Sequence, residues 1–397
     1  MDLLDKLKAV EQRRAMFGSG VASPGATVIE RVLGPCEVVI DGRPTLMFGS
    51  NNYLGLTLEP AVVAAARDAI LQYGTGTTGS RTANGTLSLH EDLEHEFADW
   101  FHKRHALIFS TGYQANLSVI GGLCGAEDVI LIDSDSHASI YDATRQTASQ
   151  VVAFRHNSPE SLRKKLERLP AGQRNRLVVV EGLYSIRGDV APLQEIVAAC
   201  RAHGAYLLVD EAHSLGTFGP NGLGCAEAQG VLNQVDFIVG TFSKSLAGVG
   251  GVCVSDHAEL RSLHFLARAY VFTASGSPSN VAGVRAAVRV IREHPALRDR
   301  LWTNIRKLRE GLHALGFAIG STESPIVPIF IGEEGRTIAL WKELLGEGLY
   351  VNLIVPPGCS RDDCLLRASC SAAHTDEQIA RALDIFARAR VGSPVTA

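Results

Sequence analysis

Short apolar segments alternate with amphipathic helical segments through the middle of the chain. Continuous apolar runs predict strands near 105–109, 129–132, 151–154, 177–180, 206–209 and 237–239. Strands that are buried on both faces of a sheet give such runs, whereas half-exposed strands alternate apolar and polar residues. The pattern therefore predicts an α/β fold with a mainly parallel sheet and helices on both of its faces.

The pattern changes on either side of this region. The N-terminal stretch 1–10 predicts an amphipathic helix that packs on its own protein or on a partner subunit, and a long Gly/Thr/Ser loop covers 74–86. Beyond about 275, two helices, three short strands near 326–331, 349–354 and 364–368, and a final helix predict a smaller α+β domain. We expect an N-terminal helix and strand segment at 1–50, a large domain at 51–275 and a small C-terminal domain at 276–397.

Composition excludes several classes of protein. The chain has 397 residues, 46% hydrophobic and 20% charged, with a net charge of −4, which gives no sign of nucleic-acid binding. No run of 18 apolar residues is present, so no transmembrane segment is expected. Eight scattered cysteines suit small buried side chains in a reducing cytoplasm, and Cys359, Cys364 and Cys370 lack the spacing of a metal site. We expect a cytoplasmic protein without a metal, and peripheral contact with the inner membrane face stays open.

Polar motifs follow four of the predicted strands. Because the carboxyl ends of parallel strands meet at one edge of a sheet, these motifs are expected to lie close together. They are Ser110-Thr-Gly-Tyr113, the stretch that ends at His137, Asp210-Glu-Ala-His213, and Thr241-Phe-Ser-Lys244.

Each motif alone has an ordinary structural interpretation: a helix cap, a polar histidine at a helix start, or a surface lysine in a turn. Together they have complementary chemistry. A desolvated Lys244 amine is a nucleophile, and a buried Asp210 carboxylate suits a protonated ring nitrogen. A helix N-terminus after Ser110, with the hydroxyls of Thr241 and Ser243, suits a phosphate. The set predicts a pyridoxal phosphate site.

With these motifs the chain resembles the α-oxoamine synthases, a family of fold-type I pyridoxal phosphate enzymes. The resemblance covers almost the whole chain from about Phe48 and rests on the strand-end motifs together with Gly79-Ser-Arg-Thr-Ala-Asn-Gly-Thr86, Phe272-Thr-Ala-Ser275 and Leu349-Tyr-Val-Asn352. It implies a fold-type I transferase with a large cofactor-binding domain. It also implies a homodimer, because this fold builds its site at a dimer interface.

The resemblance also implies roles for individual residues. Lys244 would hold the cofactor covalently and later move the Cα proton, Asp210 would pair with the pyridine nitrogen, and His213 would bond the ring oxygen. His137 would stack on the ring and help to hold the substrate carboxylate. The remaining contacts would be Gly112, Tyr113, Thr241, Ser243 and, from a second subunit, Thr273 for the phosphate, Ser185 for the cofactor pocket, and Asn52 and Arg367 for the substrate carboxylate.

The implied reaction is the decarboxylative condensation of L-serine with a fatty acyl thioester of coenzyme A or a carrier protein. One loop departs from the relatives, which carry an arginine before a Pro-Pro-Ala-Thr-Pro segment. This chain has Val355 there, followed by Pro-Pro-Gly-Cys-Ser, and a carboxylate contact would have to come from Arg361. Members that use glycine or alanine, such as glycine C-acetyltransferase and 8-amino-7-oxononanoate synthase, therefore stay as alternatives. A carrier-protein-dependent synthase, a non-catalytic partner subunit, and an aminotransferase or lyase of the same fold also stay open.

Overall fold

The computed structural model describes residues 2–16, 27–170 and 175–391, so Met1 of the predicted first helix lies outside the described residues. The chain forms two compact units. The large unit consists of Leu54–Ser185 and Asp189–Asp299, and the small unit takes the described residues up to Tyr53, Ile186–Gly188 and those from Arg300 onward. The boundaries near 50 and 275 stay predictions.

The helices and strands follow the predicted order. The α-helices are α1 (Asp5–Met16), α2 (Pro60–Tyr73), α3 (Ser88–Trp100), α4 (Gly112–Leu123), α5 (Ala138–Arg145), α6 (Pro159–Glu167), α7 (Leu193–Ala202), α8 (Cys225–Ala228), α9 (Leu263–Leu266), α10 (Arg268–Val271), α11 (Pro278–Glu293), α12 (Ala296–Ala314), α13 (Glu334–Gly346) and α14 (Asp376–Val391). The strands are β1 (Arg31–Gly34), β2 (Glu37–Ile40), β3 (Arg43–Met47), β4 (His105–Phe109), β5 (Val129–Asp133), β6 (Gln150–Phe154), β7 (Arg176–Glu181), β8 (Tyr206–Asp210), β9 (Phe237–Thr241), β10 (Gly251–Ser255), β11 (Ala318–Ile319), β12 (Ile326–Gly332), β13 (Leu349–Tyr350), β14 (Asn352–Ile354) and β15 (Cys364–Ser369). Three short 3₁₀ helices cover Leu56–Leu58, Leu232–Gln234 and Ala258–Ser262.

The large unit is built on a seven-stranded sheet in the order β4-β10-β9-β8-β7-β5-β6. All of its strands are parallel except β10, which runs antiparallel to both of its neighbours. This confirms the predicted α/β fold. The sequence pattern places Gly251 in a flexible segment, and that prediction is wrong, because Gly251 starts the fully buried strand β10. The glycines at 248, 250 and 251 favour a flexible interpretation of this segment, although the apolar run 252–254 follows them directly.

One hydrophobic cluster of the large unit lies between the sheet and α4 and α5. Ile130, Val179 and Leu208 from three neighbouring strands pack with Ile120 of α4 and Ile140 of α5. Burying such aliphatic side chains contributes roughly 1.5–3 kcal/mol each. This packing holds the first turns of α4 and α5 at the carboxyl edge of the sheet.

The small unit contains two four-stranded sheets, in the orders β1-β2-β3-β13 and β11-β12-β15-β14. The single strand predicted at 349–354 is two strands, since β13 pairs with β3 and β14 pairs with β15. Among the helices that the structure describes, none combines the length and the apolar character needed to span a membrane.

The Gly/Thr/Ser loop that precedes α3 is ordered by Arg81. The Arg81 guanidinium forms two hydrogen bonds to the Glu94 carboxylate, at 2.9 and 3.2 Å, and a third to the Thr86 hydroxyl at 3.0 Å. Gly85 allows the loop to close on itself, because a Cβ there would lie 2.1 Å from the carbonyl oxygen of Gly79. The loop is therefore a fixed part of the large unit.

We expect Glu94→Ala to lower the free energy of unfolding by about 3–5 kcal/mol, because it leaves a guanidinium that is only 4% exposed without its charge partner. Urea titration of the purified protein measures the change. The matched control is Glu160→Ala, which removes an exposed pair with Lys164 and should change the same free energy by less than about 1 kcal/mol. Equal losses in the two variants would contradict this account of the loop.

Candidate active site

A pocket of about 260 Å³ lies at the carboxyl edge of the large unit's sheet. It brings together most of the residues that the strand-end motifs predict as a site. These are Gly112, Tyr113, His137, Asp210, His213, Thr241, Ser243 and Lys244. The parallel arrangement of β5, β8 and β9 explains the convergence, because the loop after each strand leaves the sheet at the same edge.

Asp210 is the buried carboxylate at the floor of the pocket. It is the last residue of β8, is 4% exposed, and pairs in register with Val239 of β9. Its Oδ2 accepts a hydrogen bond from Asn116 Nδ2 at 2.7 Å, and its Oδ1 accepts one from the backbone N–H of Ala212 at 2.9 Å. A carboxylate held in this way at a pocket floor can bind a protonated ring nitrogen.

The start of α4 and the end of β9 form a cradle for an anion. Thr111 caps α4 by accepting a hydrogen bond from the Gln114 backbone N–H, which leaves the first N–H groups of this 12-residue helix available. A Cβ on Gly112 would lie 2.6 Å from Thr241 Oγ1, so only glycine lets the helix start approach Thr241 this closely. Backbone donors at a helix start, next to the Thr241 and Ser243 hydroxyls, fit a phosphate group.

Lys244 lines the same pocket, three residues after the end of β9. Its side chain is partly exposed, so the amine can reach a molecule in the pocket. With an acceptor for a ring nitrogen and a cradle for a phosphate, the residues of this pocket fit pyridoxal phosphate.

His137 stands at the start of α5 with Tyr113 beside it. Its Nδ1 accepts a hydrogen bond from the backbone N–H of Ser139 at 3.2 Å, and the Tyr113 ring meets the imidazole edge-on, with 6.1 Å between centroids. Tyr113 is held there by a hydrogen bond from its hydroxyl to Asp142. Desolvation lowers the pKa of His137; Asp210 opposes this shift and the charge of Lys244 adds to it. A neutral imidazole is thus favoured on this wall of the pocket.

Two predicted cofactor residues lie outside the pocket lining in the described structure. Thr273 accepts a hydrogen bond from Gln114 Nε2 at 3.1 Å, and Ser185 lies four residues beyond the pocket residue Glu181. Their predicted roles stay predictions.

Arg367 and Asn52, the predicted carboxylate contacts, both belong to the small unit. Arg367 lies on β15 and is 6% exposed; its guanidinium donates hydrogen bonds to Ser369 Oγ and Asn51 Oδ1, both at 3.1 Å, and to Tyr53 OH at 3.3 Å. All three of these acceptors are uncharged, and together they orient the guanidinium group. Asn52 is 7% exposed.

Sequence reasoning assigned no role to three pocket residues, Glu181, Asn116 and Ser139. Glu181 ends β7 as Asp210 ends β8, and the two face each other in the strand register. Burial first, and then the Asp210 charge, raise the pKa of Glu181 well above its usual value. An acidic residue that closes an apolar strand was a usable signal for Glu181, whereas Asn116 and Ser139 depend on tertiary contacts alone.

A charged histidine anchors the segment that leads to His137. His156 Nδ1 lies 2.8 Å from Asp133 Oδ1, and its Nε2 lies 2.6 Å from Asp189 Oδ2. Despite desolvation, these two carboxylates raise the pKa of His156 to about 10. Asp133, Asp135 and His156 are close enough to ligate a metal, but a protonated imidazole between two carboxylates has no lone pair for one.

Comparisons with known proteins agree with this site. The family model described as aminotransferase class I and II matches residues 43–386. The serine palmitoyltransferase of Caulobacter vibrioides is 50% identical over 97% of this chain and 96% of its own length. A solved structure of SPT with pyridoxal phosphate as internal aldimine has a TM-score of 0.96 at 45% identity, covering 99% of both chains. The 8-amino-7-oxononanoate synthase of Alkaliphilus metalliredigens is 34% identical, over 88% of this chain and 89% of its own.

The chain therefore belongs to the aminotransferase class I and II family, the fold-type I pyridoxal phosphate enzymes, and within it to the group of the serine palmitoyltransferases. The predicted enzyme class and cofactor are confirmed.

We predict that His156 contributes to the free energy of unfolding and that this contribution is lost at alkaline pH. Its pKa is about 10 when folded and about 6.5 when unfolded, so the stabilisation is complete below about pH 6.5 and is lost as the pH rises through about 10. Urea midpoints of wild type and His156→Gln at several pH values measure it: their difference should be largest at pH 6 and shrink towards pH 10. His95→Gln, an exposed change on α3, is the control and should track wild type throughout. A difference between wild type and His156→Gln that does not vary with pH would contradict the charged state of His156.

Proposed function

We propose that this protein condenses L-serine with a long-chain fatty acyl thioester and releases carbon dioxide, which gives 3-ketodihydrosphingosine, the first intermediate of sphingolipid synthesis. The observation that carries the cofactor chemistry is the presence of Lys244 and Asp210 in one pocket, beside the ends of neighbouring strands. The choice of serine and a long acyl chain is supported by the identity with serine palmitoyltransferases over nearly the full length.

Asp210 and His213 would hold the ring of the cofactor. Pyridoxal phosphate, when bound, supplies an electron sink for the negative charge that forms at the amino acid Cα. Asp210 would keep the ring nitrogen protonated, because a carboxylate that is 4% exposed stabilises a cation next to it. His213, which is 6% exposed, would donate a hydrogen bond to the ring oxygen.

The phosphate would lie in the cradle at the start of α4. Its contacts would be the first backbone N–H groups of that helix and the hydroxyls of Thr241 and Ser243, with Thr273 added by a second subunit. Ser185 would line the cofactor pocket. These contacts would hold the cofactor through its phosphate, so that the ring position would be set before the substrate binds.

Lys244 would act twice. It would hold the cofactor covalently until serine takes its place, and its freed amine would then remove the Cα proton. A lysine suits this double role, because its flexible four-carbon stem lets the amine move while the base of the side chain stays at the end of β9.

The resemblance to α-oxoamine synthases implies that Arg367 would bind the substrate carboxylate, with Asn52 and His137 as further contacts. The guanidinium of Arg367 is already oriented by uncharged acceptors, and a planar fork binds a carboxylate through two parallel hydrogen bonds. Arg361 is exposed in the loop between β14 and β15. We therefore assign the carboxylate to Arg367 and not to Arg361, although Val355 replaces the arginine of the relatives.

We also propose a cytoplasmic homodimer. The resemblance to α-oxoamine synthases supports the dimer, and all eight cysteines are free thiols, as suits a reducing compartment. Coenzyme A and a carrier protein are both candidate carriers of the acyl chain.

The proposal predicts a specific product pattern. Purified protein with its cofactor is incubated with serine, glycine or alanine and with acyl thioesters of different chain length, and the products are identified by mass spectrometry. We expect 3-keto amines from serine and long acyl chains, together with a shift in the cofactor absorbance when serine is added.

Lys244→Ala is the control for this experiment and should lower turnover at least about 10³-fold, since it removes the base. A product from alanine or glycine in place of serine would overturn the choice of substrate and favour another α-oxoamine synthase. A keto acid formed without thioester would indicate an aminotransferase, and a protein that takes up no cofactor would indicate a non-catalytic subunit.

A further inference from the structure

A series of hydrogen-bonded polar side chains in the lining of the pocket connects Asp210 to His137. Asn116 Nδ2 lies 2.7 Å from Asp210 Oδ2 and 2.9 Å from Ser139 Oγ. Ser139 Oγ in turn lies 2.8 Å from His137 Nδ1. Asn116 is 2% exposed and Ser139 is 1% exposed, so solvent does not compete for these contacts.

The charge of Asp210 decides which group donates in the first hydrogen bond of this series, the one between Asn116 and Asp210. An ionised carboxylate only accepts hydrogen bonds, so the amino group of Asn116 must face it. The opposite amide orientation would place Asn116 Oδ1 against the carboxylate. With the amino group turned towards Asp210, Oδ1 is buried and has no hydrogen-bond partner among the described residues, so the contacts of Nδ2 are the ones that fix this orientation.

Ser139 extends the same order of donors and acceptors to the imidazole of His137. Because the Ser139 oxygen accepts from Asn116, its own hydrogen is free to point at His137 Nδ1. The backbone N–H of Ser139 points at the same nitrogen from 3.2 Å. A nitrogen that faces two donors carries a lone pair, so the proton of a neutral His137 lies on Nε2.

We propose that Asn116 and Ser139 are positioning residues that hold His137 in its Nε2–H tautomer, so that the ring presents a hydrogen-bond donor to the carboxylate of the amino acid substrate. The role of the donor rests on the function proposed above, whereas the tautomer follows from the contacts alone. Glu181 supports the same geometry, since its Oε1 accepts a hydrogen bond from the backbone N–H of His137 at 2.6 Å.

Nitrogen NMR of histidine-labelled, full-length protein tests the tautomer, with and without cofactor; the His137 signal is assigned by its loss in His137→Gln. We expect wild type to show an unprotonated Nδ1 and a protonated Nε2. Asn116→Ala and Ser139→Ala should lower the Nε2–H fraction, and Ser139→Thr, which keeps the hydroxyl, should restore it. The matched control is Ser118→Ala on α4, because Ser118 is equally buried but its hydroxyl makes no hydrogen bond in the described structure.

Steady-state kinetics test the use of the donor. We expect Ser139→Ala to raise the KM for serine about tenfold with a smaller change in kcat, the size expected when one hydrogen bond to a charged group is weakened. Ser139→Thr and Ser118→Ala should stay close to wild type. An unchanged tautomer in both Asn116→Ala and Ser139→Ala would overturn the proposal, as would equal effects of Ser118→Ala and Ser139→Ala. If wild type used no serine, the proposed function would fail, while the NMR result would still decide whether the tautomer is held.

Discussion

The burial of the Asp210 carboxylate is the constraint on which the site depends. A charge taken out of water must be met by donors, and Asn116 and the Ala212 backbone meet part of this need. The remaining demand is for a cation, which a protonated pyridine nitrogen would supply in the proposed function. The same carboxylate turns the Asn116 amide and, through Ser139, the His137 imidazole. Ring binding and substrate contacts therefore share one electrostatic origin.

The parallel sheet makes this arrangement possible. Strands in register bring Glu181 and Asp210 side by side, and two like charges in contact would be unfavourable. The raised pKa of Glu181 eases the conflict, because it favours the protonated form of the carboxyl group, whose Oε1 still accepts a hydrogen bond from the His137 backbone. Two ion pairs order segments outside the pocket lining. The Arg81–Glu94 pair orders the loop before α3, and the His156–Asp133 pair orders the segment before His137.

Sequence reasoning reached the parts of this protein that depend on local pattern. Apolar runs predicted six strands of the large sheet, and residues that follow strand ends predicted Lys244, Asp210 and His137 in one site. It did not find β10, because the glycines that precede its apolar run favour a flexible segment. It also missed the split between β13 and β14, which is decided by partners in two different sheets. The roles of Asn116 and Ser139 could not be predicted from the sequence, because they depend on contacts that form only when α4 packs against α5.

The most direct test of the account is the exchange of the serine Cα proton with deuterated water, followed by proton NMR without any acyl thioester. Wild type with its cofactor should exchange the proton, because in the proposed function Asp210 would keep the ring able to accept the charge and Lys244 would remove the proton. Asp210→Asn, which keeps the shape but removes the charge, should still take up the cofactor and should exchange at least about 10²-fold more slowly. Exchange at the wild-type rate in Asp210→Asn would contradict the central role of this carboxylate.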